Sequence, residues 1–422
     1  MIGDPGHHGR RPDWDERRPA GKRPPPEVLL RRWALVVSVP VLAVVIILAL
    51  TRGGSTGRQA RDPGGVATTT ATPAPTGPDV SVMPGMPPVL DPSNIYSADG
   101  PNDLSPAVRG DIPMVYVPNG LSNTVDEIDP NTYKIVRQFP VGALPQHVVP
   151  SWDLKTLWVT NDNGNSLTPI DPRTGLPGKP VPVEDPYNMY FTPDGRYAIV
   201  VAEALQRLDF RDPHTMAMIH SLPVPCPGVD HMDFSVDGSY LIASCEFGAR
   251  LLKVDLRDQT VVGTLSLPAG SQPQDVKLSP DGKTFYVADQ ERNGVWEIDG
   301  ATMQVLGFLP TGKGAHGLYV SRDSKYLYVT DRDEGAVSVV DLATNKIAAT
   351  WYIPGGGSPD MGNISADGKV LWLSGRYNSE VYAIDTTTGK LLARIHVGDG
   401  PHGLCVWPQP GRYSVGHTGI MR

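Results

Sequence analysis

The chain has 422 residues, of which 40% are hydrophobic, 45 are glycine and 43 are proline, and its formal net charge is −8. An acidic balance argues against general nucleic-acid binding, whose affinity comes largely from neutralising phosphates. Glycine and proline at this level suit a turn-rich β domain joined to a polar linker, and one large domain accounts for the length.

Residues 1–30 are rich in Pro, Gly and charge and carry no apolar period, which predicts a disordered cytoplasmic tail. From Trp33 to Leu50 runs an unbroken stretch of 18 apolar or small residues, long enough to span a bilayer at ~1.5 Å per residue. Eight Lys/Arg lie within residues 1–32, with Arg31 and Arg32 directly before the run. Residues 31–52 are therefore expected to form a single-pass signal-anchor helix in the cell membrane, N-terminus inside and the remainder extracytoplasmic. The long leading region and the lack of an Ala-x-Ala site after the run weigh against a cleaved signal peptide. Residues 53–111, including Thr68-Thr69-Thr70-Ala71-Thr72-Pro73-Ala74-Pro75, read as an extended extracytoplasmic spacer. Beyond Arg52 the chain holds 28 basic and 40 acidic residues, a balance suited to a cation or a basic partner.

Residues 112–407 repeat. A short, largely apolar strand closes with an Asp at Asp129, Asp171, Asp212, Asp255, Asp299, Asp341 and Asp385, with spacings of 42, 41, 43, 44, 42 and 44 residues. This period with short apolar runs predicts an all-β, seven-bladed β-propeller with four antiparallel strands per blade. Half a period away lie tight-turn sequences such as Thr192-Pro193-Asp194-Gly195 and Ser279-Pro280-Asp281-Gly282. The first repeat starts with a second-strand pattern, Met114-Val115-Tyr116-Val117, while Gly400-Pro401-His402-Gly403-Leu404-Cys405-Val406 is an innermost strand with no successor. The C-terminal strand should therefore close blade 1, giving a monomeric ring without open sheet edges.

Leu157-Trp158-Val159-Thr160-Asn161 and Leu327-Tyr328-Val329-Thr330-Asp331 recur, with weaker copies at Val115–Asn119 and Phe285–Asp289. On these motifs the chain resembles the YVTN-repeat seven-bladed propellers, the bacterial extracytoplasmic YncE-like proteins. The resemblance implies an extracytoplasmic binding or surface protein. Related propellers include a lactonase and the haem-d1 domain of a nitrite reductase, so fold alone does not decide function.

Aligning the repeats on their turns places Gln146, Tyr187, Asp230, Gln274, His316, Asp360 and His402 in one ring at the channel mouth. The next positions give His147, Asn188, His231, Asp275, Gly317, Met361 and Gly403. Four of the ten histidines fall in these rings, and His is the commonest metal ligand near neutral pH. A metal ion is thus a candidate cofactor, with His147, His231, His316 and His402 as ligands. Ring members ~8–15 Å apart across a seven-fold axis could not share an ion, so hydrogen bonding to exposed backbone and channel water is the leading expectation. Cys226 lies about four residues before the point opposite Cys245, so a Cys226–Cys245 disulfide requires the Pro225-Cys226-Pro227 loop to fold back. Residues 408–422 belong to no repeat and either cover the lower end of the channel, with Arg412, Tyr413 or His417 reaching inward, or fray.

No phosphate loop or Cys-x-x-Cys-His haem attachment occurs. The leading functional expectation is a binding or scaffold module for a protein or small molecule at the channel mouth. The alternatives are a metal-, haem- or quinone-linked redox or accessory enzyme with a His-lined channel, and a lactonase-like hydrolase.

Overall fold

A computed structural model describes residues 81–422; the tail, the apolar run and the first part of the spacer lie outside the described residues. Among the described residues, no helix is long and apolar enough to cross a membrane. Seven antiparallel sheets form blade 1 (114–140 with 405–407), blade 2 (145–182), blade 3 (188–223), blade 4 (229–266), blade 5 (273–310), blade 6 (315–352) and blade 7 (359–396). Cys405–Trp407 pairs with Met114–Asn119, placing Trp407 opposite Met114 and Cys405 opposite Tyr116. The C-terminal strand thus seals the ring. Blade 2 alone has a split outer strand, Leu176–Pro177 and Val181–Pro182, because proline cannot donate to a ladder.

The recurrent Asp residues turn the chain between the third and fourth strands. Oδ1 of Asp299 accepts from Thr302 N and Thr302 Oγ1 at 2.7 and 2.8 Å, and Asp341 and Asp385 do the same for Thr344 and Thr388. Four residues after each Asp the chain turns left-handed, at Tyr133, Gly175, Met216, Gln259, Met303, Asn345 and Gly389. The inner hairpins are tied by hydroxyl–carboxylate bonds, Thr192 to Asp194 and Ser279 to Asp281, each 2.6 Å.

The segment from Met83 to Ile112 corrects the expectation of an extended spacer reaching residue 111. It crosses the turn-bearing face, where Met83 N donates to Asp237 O, Ile95 N to Pro280 O and Asn102 N to Ala366 O, all at 2.8 Å. Ile95 and Tyr96 are buried, and the Tyr96 hydroxyl donates to Leu278 O at 2.6 Å. These anchors are isolated apolar residues without a period, which composition alone does not separate from a linker.

Asp99 of this strap is also buried, and burial, against the opposing charges of Arg322, Arg422, Arg412 and Lys277, pushes its carboxyl from 3.8 up to about 7. The folded chain therefore keeps a proton between those values that the unfolded chain loses, so this contribution to stability is full below pH ~4 and lost as pH rises towards 7. Asp99→Asn removes the dependence. Denaturant melts at pH 5 and pH 7.5 should show the variant gaining about 2–3 kcal/mol relative to the parent at the higher pH; a constant difference would contradict this ionisation.

Cys226 and Cys245 are joined, with Cα atoms 5.1 Å apart. The loop does fold back: Cys226 N donates to Val224 O and Val229 N to Cys226 O, and a left-handed Gly228 reverses the chain. The bridge closes a loop with a separation of 19 residues, a constraint of about 3 kcal/mol on the unfolded chain. Cys405 is free and buried.

Candidate functional site

Five of the innermost strands lose register at the same place. Pro145 pairs with Asn161 and pairing resumes at Val148, with equivalent gaps between Val229 and Met232, Pro273 and Val276, Ala315 and Leu318, and Pro359 and Gly362. The two residues in each gap are the ring positions read from the sequence. A bulge bends its strand and re-aims side chains. Hydroxyls on the second strand take up the freed amides: His147 N donates to Thr160 Oγ1 at 3.0 Å, His231 N to Ser244 Oγ at 3.1 Å, Gly317 N to Thr330 Oγ1 at 2.6 Å and Met361 N to Ser374 Oγ at 3.2 Å. The Thr of the YVTN motif is thus the residue that holds the bulge open.

The bulges close the channel much further than seven-fold geometry alone predicts, which corrects the expected ~8–15 Å separation. Ring centroids lie 4.7 Å apart for His147–His402, 5.6 Å for His147–His231, 6.1 Å for His316–His402 and 6.4 Å for His231–His316. The expected wet mouth is also corrected: every residue of the two rings is buried, Tyr187 being the most exposed at 8%.

The C-terminal segment fills the space from below, covering the channel as the first of its two expected forms. Ser414 and Met421 bridge antiparallel across a hairpin, with Val415 N donating to Ile420 O at 2.8 Å. Its tip docks on blade 3, where His417 N donates to Met189 O and Phe191 N to Val415 O, and on blade 7, where Thr418 Oγ1 donates to Gly362 O. Gly416 is required there, since it has φ +106 and an added Cβ would lie 2.4 Å from Tyr190 Cα. His417 becomes a fifth axial imidazole, 4.7 Å from His231 and 5.2 Å from His147.

Two sets emerge. In the first, ligand atoms of His147, His231 and His417 all lie within 4.8 Å of one another. His147 Nδ1 donates to Tyr187 O at 3.0 Å, which leaves the Nε2 lone pair inward and without a hydrogen-bond partner. Asn188, its orientation fixed by Met189 N donating to Oδ1, directs its amide nitrogen at Nδ1 of both His231 and His417, at 3.1 and 3.0 Å. Burial pushes all three imidazoles below their ordinary value, His147 to about 3, so they are uncharged. Burial likewise raises Asp230, whose Oδ1 lies 3.2 Å from His231 Nε2.

The second set is His316, Asp360 and His402. Asp360 Oδ1 lies 3.1 Å from His316 Nδ1 and 3.2 Å from Arg332 Nη1, and Oδ2 lies 3.6 Å from His402 Nε2 and 3.9 Å from Arg376 Nη1. Its charge is already matched by guanidinium.

Other ring members serve the scaffold. Asp275 accepts from Val276 N and from Leu318 N of the next blade, both at 2.9 Å; Met361 receives the Tyr319 hydroxyl on sulfur; Gln146 O accepts from Gly403 N; and Gln274 is buried. Sequence reading missed Tyr190, Arg332 and Arg376. Arg332 and Arg376 follow the last residue of the second strand in blades 6 and 7, a third axial ring that aligning the repeats on the YVTN motif would have exposed.

Residues 80–410 match the family described as YNCE-like beta-propeller, and no curated protein matches. Among solved structures, a chain of Kuenenia stuttgartiensis hydrazine synthase is 21% identical, with 66% of this chain and 93% of that one covered and a TM-score of 0.56. The dihydro-heme d1 dehydrogenase NirN is 15% identical over 69% and 74%, with a TM-score of 0.53. A functionally unknown protein from Desulfotomaculum acetoxidans DSM 771 is 16% identical over 70% and 99%, with a TM-score of 0.58. At these identities the likeness is one of fold. Seven blades, a ring closed by the C-terminal strand and a match across most of the chain lead to one conclusion: this protein belongs to the YNCE-like β-propeller family.

Proposed function

We propose that this protein is a membrane-tethered, extracytoplasmic binding propeller whose ligand is a transition-metal cation held among the axial histidines. The observation that carries the reading is the convergence of five buried imidazoles on one axis, three of them with ligand atoms within 4.8 Å of one another. Neutral imidazole is the metal-binding form, and a nitrogen-rich site suits Zn, Cu, Co or Ni better than Mg or Ca. Imidazole centroids 4.7–6.4 Å apart leave no gap for a haem or quinone ring between them, which weighs against that form of the redox reading. The Cys226–Cys245 bridge supports an oxidising compartment, and the apolar run with its preceding arginines supports the tether.

Elemental analysis of full-length protein in mild detergent, after incubation with Zn²⁺, Co²⁺ or Cu²⁺ and desalting, is expected to find about one ion per chain. Chelation should lower the melting temperature, because an ion at 100 times its Kd stabilises the fold by about 2.7 kcal/mol. Retention of no metal under any of these conditions would overturn the reading.

A further inference from the structure

Resting on that axial metal reading, we infer that the ion is bound by His147, His231 and His417, so that it staples the C-terminal hairpin into the channel and makes hairpin insertion and metal binding one linked event. The second set is excluded on charge, since a cation there would compete with Arg332 for a carboxylate oxygen already 3.2 Å from its guanidinium. In the first set the three donors come from blade 2, blade 4 and the hairpin, elements joined here by packing and hydrogen bonds rather than by local sequence.

Three features point to a ligand. His147 presents a buried Nε2 with no hydrogen-bond partner. Its ring sits in a cradle that only glycine permits, because a Cβ on Gly403 would lie 2.1 Å from His147 Cδ2. His417 holds the left-handed conformation, φ +53, at the hairpin tip between the positive-φ residues Gly416 and Gly419. Glycine would take that conformation at no steric cost, so the side chain is what the position retains. Nitrogens about 2.0–2.1 Å from one tetrahedral ion lie about 3.3–3.4 Å apart. Separations of up to 4.8 Å therefore ask the rings to draw in by as much as about 1.4 Å, and closing on the ion pulls the hairpin towards both blades.

Asn188 supplies a second readout. Its amide nitrogen faces Nδ1 of His231 and His417, an arrangement that satisfies the rings without an ion. A carboxylate there either accepts from two Nδ1–H groups, freeing Nε2, or enters the ion's shell beside Nδ1. Both favour metal.

The test is Zn²⁺ and Co²⁺ titration of the full chain, followed by calorimetry and the Co²⁺ visible spectrum, together with hydrogen exchange of residues 413–421. His417→Gly, which suits the left-handed tip, should weaken binding about 100-fold or more, and Asn188→Asp should tighten it about 10-fold or more. Zn²⁺ should slow exchange in the hairpin more than in the outer strands, as linkage requires. Undiminished affinity in His417→Gly, affinity equal or weaker in Asn188→Asp, or loss of metal in His316→Gln with retention in His417→Gly would overturn the assignment. An unaltered protein that takes up no metal would instead sink the underlying reading.

Discussion

Deletion of residues 412–422 is expected to leave a chain that does not reach the native propeller. Tyr413, Val415, Ile420 and Met421 are each at most 3% exposed and join the cores of blades 3 and 4 and of blades 1 and 2. Burial of four such side chains contributes of the order of 6–12 kcal/mol, comparable with the whole net stability of a domain. Their removal also opens the channel to water around the four remaining imidazoles, His147, His231, His316 and His402. Arg422 Nη2 donates to Asp233 Oδ1 at 2.6 Å. Burial weighs against its charge, but Asp233 and the neighbouring acidic groups more than restore it. Without the arginine, Asp233 keeps the amides of Phe234 and Leu278 and the field of the buried Lys277 but loses its hydrogen-bonded counter-charge, at a cost of up to about 3–5 kcal/mol. Arg422→Ala isolates that cost. Chemical denaturation of the point variant, and far-ultraviolet dichroism of the truncated chain, check the two levels; a truncated chain with native dichroism and an unshifted melt would show the hairpin to be an ornament.

The fold was legible because each blade repeats its own instructions. The strand-closing Asp and the Ser/Thr-x-Asp-Gly turn are local hydrogen-bonding devices whose period revealed the blades, and the second-strand start at Met114 with the unpartnered strand ending at Val406 revealed the ring closure. The ring positions were legible for the same reason, since a bulge that recurs at one place in five strands preserves the alignment. What the bulges do to the channel was not. Whether His147 and His402 stand 4.7 Å apart depends on how far Thr160 draws its amide outward and on Gly403 leaving room for a ring. Those are contacts between blades, and no single repeat contains them. His417 was harder still, because the hairpin has no repeat partner and its register is set by Met189 and Gly362, more than fifty residues away in sequence. Asp275 shows the converse: its position in the ring suggests a ligand, yet both carboxylate oxygens are taken by backbone amides.

Asp360→Asn should destabilise the protein by about 3–5 kcal/mol, because it removes the anion but not the cations it serves. Arg332 is buried and bonded to Gln290, and its guanidinium lies 3.2 Å from Asp360 Oδ1. Burial alone would depress its pKa, yet Asp360 leads the charges that raise it above the ordinary arginine value. The amide keeps the shape and one acceptor but no charge, so Arg332 and Arg376 face His316 and His402 without the carboxylate between them, and only the smaller influences of Asp333 and Glu246 still oppose the charge of Arg332. Both imidazoles are already pushed down by burial and then by these guanidiniums, so neither can turn to cationic partners for relief. If the first set alone binds metal, the Asp360→Asn protein that remains folded at low temperature should still take up one Zn²⁺, with its midpoint in urea displaced downward. A midpoint unchanged within error would mean that the arginines are solvated from the mouth, and that blades 6 and 7 are held together by their apolar contacts alone.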